Sequence, residues 1–331
     1  MKIYLSILAL GALTATGASA QAIIDNGTVQ LGVDLYGQLN VPGSVPSPVS
    51  LTTAVGLRHM PTGNEATSHG CLCEGWGVGI ADTFASGFAN NNYGVSGLTP
   101  VSFTSTATTA TSVVDLASGG LRITHAFAPS TKTADLYEVD VTITNTSLAT
   151  INDLRYTRTF DWDVEPDTFN EVVTIAGTGT TTTLLASSNN GFERSDPFAS
   201  RSDLGVLNSD TVDFGPLDQG TNFDFGFGAL AAGSSFSFKI YYGASSTEAA
   251  AYIALSKISP ELYSLGQPAG DPLGTGSNGI YPTSTFIFAF SKVGGTVVVP
   301  GVPLPASALF LLGGLGAFGG LRLRKNRPVS A

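Results

Sequence analysis

Residues that catalytic and metal centres commonly use are scarce in this sequence. Its 331 residues include two cysteines, three histidines, two tryptophans and two methionines, and only 12% of all residues are charged. The P-loop, G-x-S-x-G and H-E-x-x-H motifs do not occur, so signatures of nucleotide, hydrolase and zinc-protease sites are missing. Because the histidines are limited to His59, His69 and His125, a mechanism that depends on histidine has few candidate residues.

Positive charge is also scarce, and a third of it lies close to the two ends of the chain. Five of the 15 basic residues are Lys2, Arg322, Arg324, Lys325 and Arg327. The region between them has ten basic and 25 acidic residues, which is a net charge of −15. Such a region lacks the basic surface that binds phosphates, so we expect no nucleic-acid partner. Its charge attracts cations instead.

The body of the chain is rich in alternating polar and apolar residues, which predicts strands. Alternation with a period of two is typical of a half-buried strand. The predicted strands are residues 29–33, 121–127, 136–143, 151–162, 236–242 and 285–290. The residues Asn145-Thr146-Ser147 favour a turn, so we expect the third and fourth of these strands to pair as a hairpin.

One segment departs from the strand pattern and predicts a surface helix. Residues 247–257, TEAAAYIALSK, are rich in helix formers, and Pro260 ends the segment. Ser245 and Glu248 match the spacing of a capping box. A second helical turn is expected around residues 261–265.

The resulting fold class is all-β, a large antiparallel β-sandwich with about one surface helix, formed as one domain by residues 21–296. The segments LGVDLYGQLN (31–40) and VTITNTSLATINDLRYTRTFDWDV (141–164) resemble the super-sandwich domains that accompany some bacterial carbohydrate-active enzymes. This resemblance implies a super-sandwich-like fold and identifies no catalytic residue.

The first 20 residues predict a helical secretory signal peptide. Lys2 is followed by a mostly apolar stretch, and Ala18-Ser19-Ala20 matches an A-x-A cleavage site. Cleavage after Ala20 leaves Gln21 as the new N-terminus. We therefore expect the Sec translocon as a partner and an exported body.

Residues 297–331 predict a sorting motif, a transmembrane helix and a basic tail. The motif is Val302, Pro303, Leu304, Pro305 and Ala306, and the chain from Val302 to Leu321 has no charge. Twenty residues form about 30 Å of helix, enough to cross a bilayer core. The basic residues Arg322, Arg324, Lys325 and Arg327 stop transfer and stay cytoplasmic by the positive-inside rule.

These three parts in this order resemble the PEP-CTERM class of sorting signals, in its VPLPA variant. The resemblance implies an exosortase-type membrane protease that recognises the motif and cuts near it. It also implies a Gram-negative bacterium that makes extracellular polysaccharide. The protein then passes through the inner membrane and ends at the cell surface or outside the cell. The alternative is an ordinary type I membrane anchor that stays uncut.

The densest group of chemically reactive residues is HGCLCEGW, residues 69–76. His69, Cys71 and Cys73 alternate, so an extended segment places them on one side. The sequence has no other cysteine, and an exported protein meets an oxidising compartment. Three interpretations stay open: a Cys71–Cys73 disulfide, two buried free thiols, or a metal or redox function.

A second group contains Asp161, Asp163, Glu165 and Asp167. On a strand the first three carboxylates share a face, and with Asp167 they are a candidate set for a hard cation such as Ca²⁺. We expect no other cofactor. The alternatives are a catalytic carboxylate pair, a sugar platform on Trp162, and a structural role in salt bridges.

Four further acidic residues follow in a glycine-rich stretch that also contains several phenylalanines. We interpret them as loop residues, and their case for binding calcium is weaker than that of the second group. They are Asp210, Asp213, Asp218 and Asp224.

Two functions agree with these patterns. The first is an exported surface or matrix protein that is not an enzyme and that contacts extracellular polysaccharide. The second is a secreted carbohydrate-active enzyme on a super-sandwich scaffold. We favour the first, because the tail is specific and the catalytic motifs are missing.

Overall fold

The computed structural model describes residues 20–71 and 74–298. Eighteen strands and one helix lie within these two ranges. In chain order they are β1 (Gln21–Asp25), β2 (Val29–Asp34), β3 (Leu57–His59), β4 (Gly75–Ile80), β5 (Ala85–Asn90), β6 (Gly94–Ser96), β7 (Leu98–Ser105), β8 (Ala110–Leu116), β9 (Leu121–Pro129), β10 (Leu136–Asn145), β11 (Ile151–Trp162), β12 (Glu171–Ala176), β13 (Leu184–Ser188), β14 (Thr211–Leu217), β15 (Gln219–Leu230), β16 (Ser235–Ser245), α1 (Glu248–Ile258), β17 (Leu262–Pro268) and β18 (Thr285–Ser291).

The strands form three antiparallel sheets. The largest has nine strands in the order β14-β12-β17-β18-β16-β10-β9-β8-β7, and the second has six in the order β13-β15-β11-β4-β5-β6. A small sheet, β1-β2-β3, packs against the same core. The prediction of an all-β antiparallel fold with one helix is therefore confirmed.

The core between the two large sheets is mainly aromatic. From β11, Phe160 stacks on Phe288 of β18 at 4.8 Å and on Tyr242 of β16 at 5.6 Å, measured between ring centroids. Tyr156 meets Phe238 edge to face at 5.0 Å. These rings remove large apolar areas from water, so they hold the two sheets together in a sandwich-like arrangement.

Helix α1 packs on the other face of the nine-stranded sheet through a second apolar cluster that includes Ala251 and Leu255. Its N-cap is Thr247, whose side chain accepts a hydrogen bond from the amide of Ala250. The predicted capping box at Ser245 is wrong, because that residue still belongs to β16. The helical turn expected near residue 262 is wrong as well, since β17 begins there and pairs on both sides.

The predicted hairpin is also wrong. β10 pairs with β9 and β16, whereas β11 pairs with β4 and β15, so the connection between them crosses from one sheet to the other. The side chain of Asn145 donates hydrogen bonds to the carbonyls of Ala149 and Leu230 and so fixes this crossing. Alternation predicts a strand but not its partner, which is why the sequence pattern was misleading here.

The predicted signal helix, sorting motif and transmembrane helix lie outside the described residues. Within residues 20–71 and 74–298, no helix is long and apolar enough to cross a membrane. The domain boundaries predicted at residues 20 and 297 stay predictions.

One ion pair lies inside the apolar core. Arg158 of β11 binds Glu74, which directly precedes β4, and both side chains are fully buried. The guanidinium also lies 5.5 Å from the centroid of the Tyr242 ring on the opposite sheet. Burial lowers the pKa of Arg158, but Glu74, Tyr242 and Tyr156 together outweigh this effect and raise the pKa above its ordinary value. Burial raises the pKa of Glu74, and the charge of Arg158 opposes that rise.

We expect Glu74→Gln to lower the free energy of unfolding by about 3–5 kcal/mol, because it leaves a buried guanidinium without its counter-charge. Urea denaturation at neutral pH measures this effect. The matched control is Glu138→Gln on β10, since Glu138 pairs with Lys239 on the outer face and that lysine also binds Asp140. This control should cost no more than about 1 kcal/mol. Equal effects of the two substitutions would contradict a special role for the core pair.

Candidate functional site

Strand β11 is buried on both of its faces from Tyr156 to Trp162. Arg158, Phe160 and Trp162 point into the core between the sheets, and Thr159 and Asp161 point the other way. That outer face is covered by residues 189–206. A methyl group added to Gly191 would lie only 2.7 Å from Oδ1 of Asp161, so this segment lies directly against the strand.

Most side chains on the outer face of β11 are polar, and they form hydrogen bonds or ion pairs with their neighbours. The hydroxyl of Thr159 donates to Asn222 and accepts from Ser195. The guanidinium of Arg201 donates to both carboxylate oxygens of Asp224, at 2.6 and 2.7 Å. This pairing explains how a polar surface tolerates burial at these positions.

Pairing fails where β11 ends. Asp161 and Asp163 are each 1% exposed. Oδ1 of Asp161 and both side-chain oxygens of Asp163 accept no hydrogen bond. The other oxygen of Asp161 lies 3.3 Å from Sγ of Cys71. Buried carboxyl oxygens without donors are costly, so this end of the strand needs a chemical explanation.

Two further acids lie beside this pair. The β11–β15 register aligns Asp161 with Gly220 and Trp162 with Gln219, and one more step places Asp163 opposite Asp218. Glu171 at the start of β12 aligns with Leu217, the neighbour of Asp218. One buried oxygen of Glu171 and one of Asp218 are also without a hydrogen-bond partner. We call these four residues, Asp161, Asp163, Glu171 and Asp218, the acid cluster.

Burial and mutual repulsion act together on the acid cluster. Burial, with the nearby Asp218 and Glu65, raises the pKa of Asp163 to about 8. Burial, with Asp163 and Asp218, raises the pKa of Glu171 to about 9 although the amide of Phe169 donates to it. The pKa of Asp161 is raised well above its ordinary value by burial and by the other three acids. Burial also raises the pKa of Asp218, which is the least enclosed of the four. The cluster therefore holds protons at neutral pH.

The structure brings together only two of the four predicted cation ligands. Glu165 lies apart from the acid cluster, because its carboxylate accepts hydrogen bonds from Ser47 and from the amides of Ser50 and Glu65. Asp167 accepts a bond from the amide of Gly270. The strand ends at Trp162, so the alternation that placed Glu165 on the same face as Asp161 does not continue.

Sequence reasoning missed Glu171, and it treated Asp218 as a loop acid with a weaker case for calcium, without connecting it to Asp161. No local spacing links either residue to Asp161, because long-range pairing of β12, β14 and β15 brings them there. The salt-bridge alternative needs a basic partner from the same strand, but Arg155 and Arg158 bind Asp153 and Glu74. Trp162 is fully buried and donates to Ser264, so its ring is not open to a sugar.

The cysteine segment borders the acid cluster. Cys71 is disulfide-bonded, whereas Cys73 lies outside the described residues, so the pairing of the two stays a prediction. His69 lies 3.6 Å from Glu165, and burial lowers its pKa despite that acid. Within the described ranges, no three His, Cys, Asp or Glu side chains stand close enough together to form a ready metal centre. The predicted signal-cleavage residue Gln21 opens β1, and Ala18 and residues 302–327 are not described.

Three surface cavities are present, and the smallest of them is lined by Leu217, next to Asp218 of the acid cluster. Their volumes are about 550, 540 and 430 Å³, and each is lined by one acidic side chain: Asp82, Asp210 and Asp213 respectively. The second of them also contains Tyr252 and Tyr263.

Comparison with known proteins gives little further information. No protein-family model and no curated protein matches this chain. Among solved structures, it is similar to a galactose mutarotase related enzyme from Lactobacillus acidophilus, with 6% sequence identity and a TM-score of 0.28, over 82% of this chain and 85% of that one. A TM-score of this size supports no argument about function.

We expect the free energy of unfolding to fall as the pH rises from about 7 to about 8, above the range in which the three histidines, whose folded pKa values are lowered by burial, act in the opposite direction. The ordinary pKa of Asp and Glu is near 4, and the acid cluster is raised far above it, so the folded protein keeps protons that the unfolded chain has released. Each retained proton lowers the stability by about 1.4 kcal/mol per pH unit within this window. Urea denaturation in EDTA at several pH values measures this slope.

Asp163→Asn should make that slope shallower and should stabilise the protein at pH 8. The matched control is Asp140→Asn on β10, whose side chain is 58% exposed and which should leave the slope unchanged. An equal slope in wild type and Asp163→Asn would show that Asp163 is ionised in the folded protein, against this account.

Proposed function

We propose that this chain is an exported, exosortase-sorted protein of the cell surface or extracellular matrix of a Gram-negative bacterium. Its body is a super-sandwich-like module that is not an enzyme and that associates with extracellular polysaccharide. The support for export and sorting comes from the sequence of the two ends, Met1–Ala20 and the VPLPA-type tail. The acidic body is compatible with a soluble, surface-held module.

The observation that favours a role other than catalysis is the burial of Asp161 and Asp163. A glycosidase needs two carboxyl groups that reach one glycosidic bond, at a separation of about 5–10 Å. Asp161 and Asp163 are 1% exposed beneath covering loops, so a polysaccharide does not reach them in this conformation. Each of the three surface cavities described above supplies one carboxyl group and lacks the second.

A role in polysaccharide contact agrees with one of these cavities. The cavity of about 540 Å³ combines Tyr252 and Tyr263 with hydroxyl groups from Thr174 and Thr211 and with Asp210. Aromatic side chains together with a few placed polar groups are typical of small-molecule and sugar subsites.

The test is the intact mass of the protein recovered from each cell fraction of its host. We expect a species that begins at Gln21, ends between Pro303 and Ala306, and is found outside the inner membrane with the polysaccharide. The matched control replaces Pro303 and Pro305 by alanine and keeps the apolar run and the basic tail. This variant should remain uncut in the inner membrane.

A wild-type protein that keeps its tail to Ala331 in the inner membrane would contradict sorting. The same recovered protein, incubated with the host polysaccharide, should co-sediment with it and leave its chain length unchanged. Depolymerisation that disappears in Asp161→Asn or Asp163→Asn would replace this proposal by the enzyme alternative.

A further inference from the structure

The acid cluster contains buried carboxyl oxygens that lack donors, under a cover that includes Gly70 and Gly191. Five oxygens are unpartnered: Oδ1 of Asp161, both of Asp163, Oε2 of Glu171 and Oδ1 of Asp218. The ordinary solution for such oxygens is an amide, a hydroxyl or a basic side chain as donor, and Asp224 accepts from all three, namely Asn222, Thr157 and Arg201. The oxygens of the acid cluster are the exception.

Glycine residues form the cover over these oxygens. A methyl group added at Gly191 would lie 2.7 Å from Oδ1 of Asp161, and one added at Gly70 would lie 3.5 and 3.6 Å from the two oxygens of Asp163. Gly70 also has a positive φ of 57°, a conformation that glycine adopts without strain. The methyl group at Gly70 would also lie 2.8 Å from a carbon of the Phe169 ring, so the cover is closely packed and places no side-chain donor at these two positions.

We propose that Asp161 and Asp163 bind one hard divalent cation, with Ca²⁺ as the best fit, and that Glu171 and Asp218 supply further oxygens or charge. Ca²⁺ takes six to eight oxygen ligands in flexible geometry, and water supplies some of them. The carboxylates of Asp161 and Asp163, with water as the remaining ligands, are therefore sufficient for the initial binding of the ion. The other two acids then approach it, which accounts for the absence of a ready three-ligand centre among the described residues.

The position of the acid cluster provides an entrance for the ion. Asp218 is only partly buried, and the neighbouring Phe169 is 45% exposed. The net charge of −15 over the body concentrates cations near the surface. This proposal does not depend on the proposed surface function, because it concerns the folded body alone.

The experiment measures the melting temperature of the full-length protein at pH 7.5 in EDTA and in 5 mM CaCl₂. An ion that binds only the folded state stabilises it, and we expect a rise of about 5 °C for the wild type. Asp163→Asn should melt higher than the wild type in EDTA, because repulsion is relieved, and should respond to CaCl₂ by less than about 1 °C. Titration calorimetry should give one Ca²⁺ per chain for the wild type.

Asp167→Asn is the matched control, since Asp167 lies close in sequence but binds Gly270 instead of the acid cluster. It should keep the full response to CaCl₂. If Asp163→Asn fails to fold, Asp218→Asn replaces it, and this variant should need about tenfold more Ca²⁺ for the same response, which corresponds to one lost carboxylate contact. The absence of a response in the wild type overturns the proposal. An equal response in the wild type and in the variant that folds also overturns it, because it would show general binding to an acidic surface.

Discussion

The burial of β11 on both faces is the constraint on which the rest of this structure depends. Over residues 156–162, this strand of the six-stranded sheet has water on neither side. Every polar side chain on it must therefore find a partner, because a buried polar group without one costs stability. The inner face meets this requirement with aromatic rings and with the pair of Arg158 and Glu74. The outer face meets it with hydroxyl and amide pairs and with Arg201 bound to Asp224.

The same constraint explains why the end of the strand is unusual. Beyond Thr159, the residue of the covering loop that contacts the strand is Gly191, which has no side-chain donor. Oδ1 of Asp161 and both carboxyl oxygens of Asp163 are therefore buried without a hydrogen bond. Repulsion among the acids and the loss of water both favour protons, or a cation, on these groups. A protein exported into a medium that contains calcium can satisfy them with the ion. A protein kept in acid can satisfy them with protons. If the proposed Ca²⁺ binds, the stability of the fold depends on both pH and calcium at the acid cluster.

The sequence was informative where a local period determines the structure. Alternation identified β10 and gave the end of β11 at Trp162, and it placed Phe160 and Trp162 opposite Asp161. It was misleading about partners, because β10 and β11 lie in different sheets. It also extended one face as far as Glu165, although the strand had ended. Glu171 and Asp218 join the acid cluster through two long-range pairings, Glu171 with Leu217 and Asp161 with Gly220, for which no local pattern exists. The two chain ends, which decide the predicted destination of the protein, were interpreted from composition and motif alone.

The most direct test of the central claim is the titration of the Asp and Glu side chains by carbon-13 NMR, in EDTA, with Asp163→Asn used to assign the signal. The claim is that the carboxyl groups at the end of β11 are buried without donors and are neutral at pH 7. We expect the Asp163 carboxyl to titrate with a pKa of about 8, because burial and the neighbouring acids oppose its charge. A midpoint near 4, the ordinary value for this group, would contradict the account and would show that solvent or an internal donor reaches Asp163.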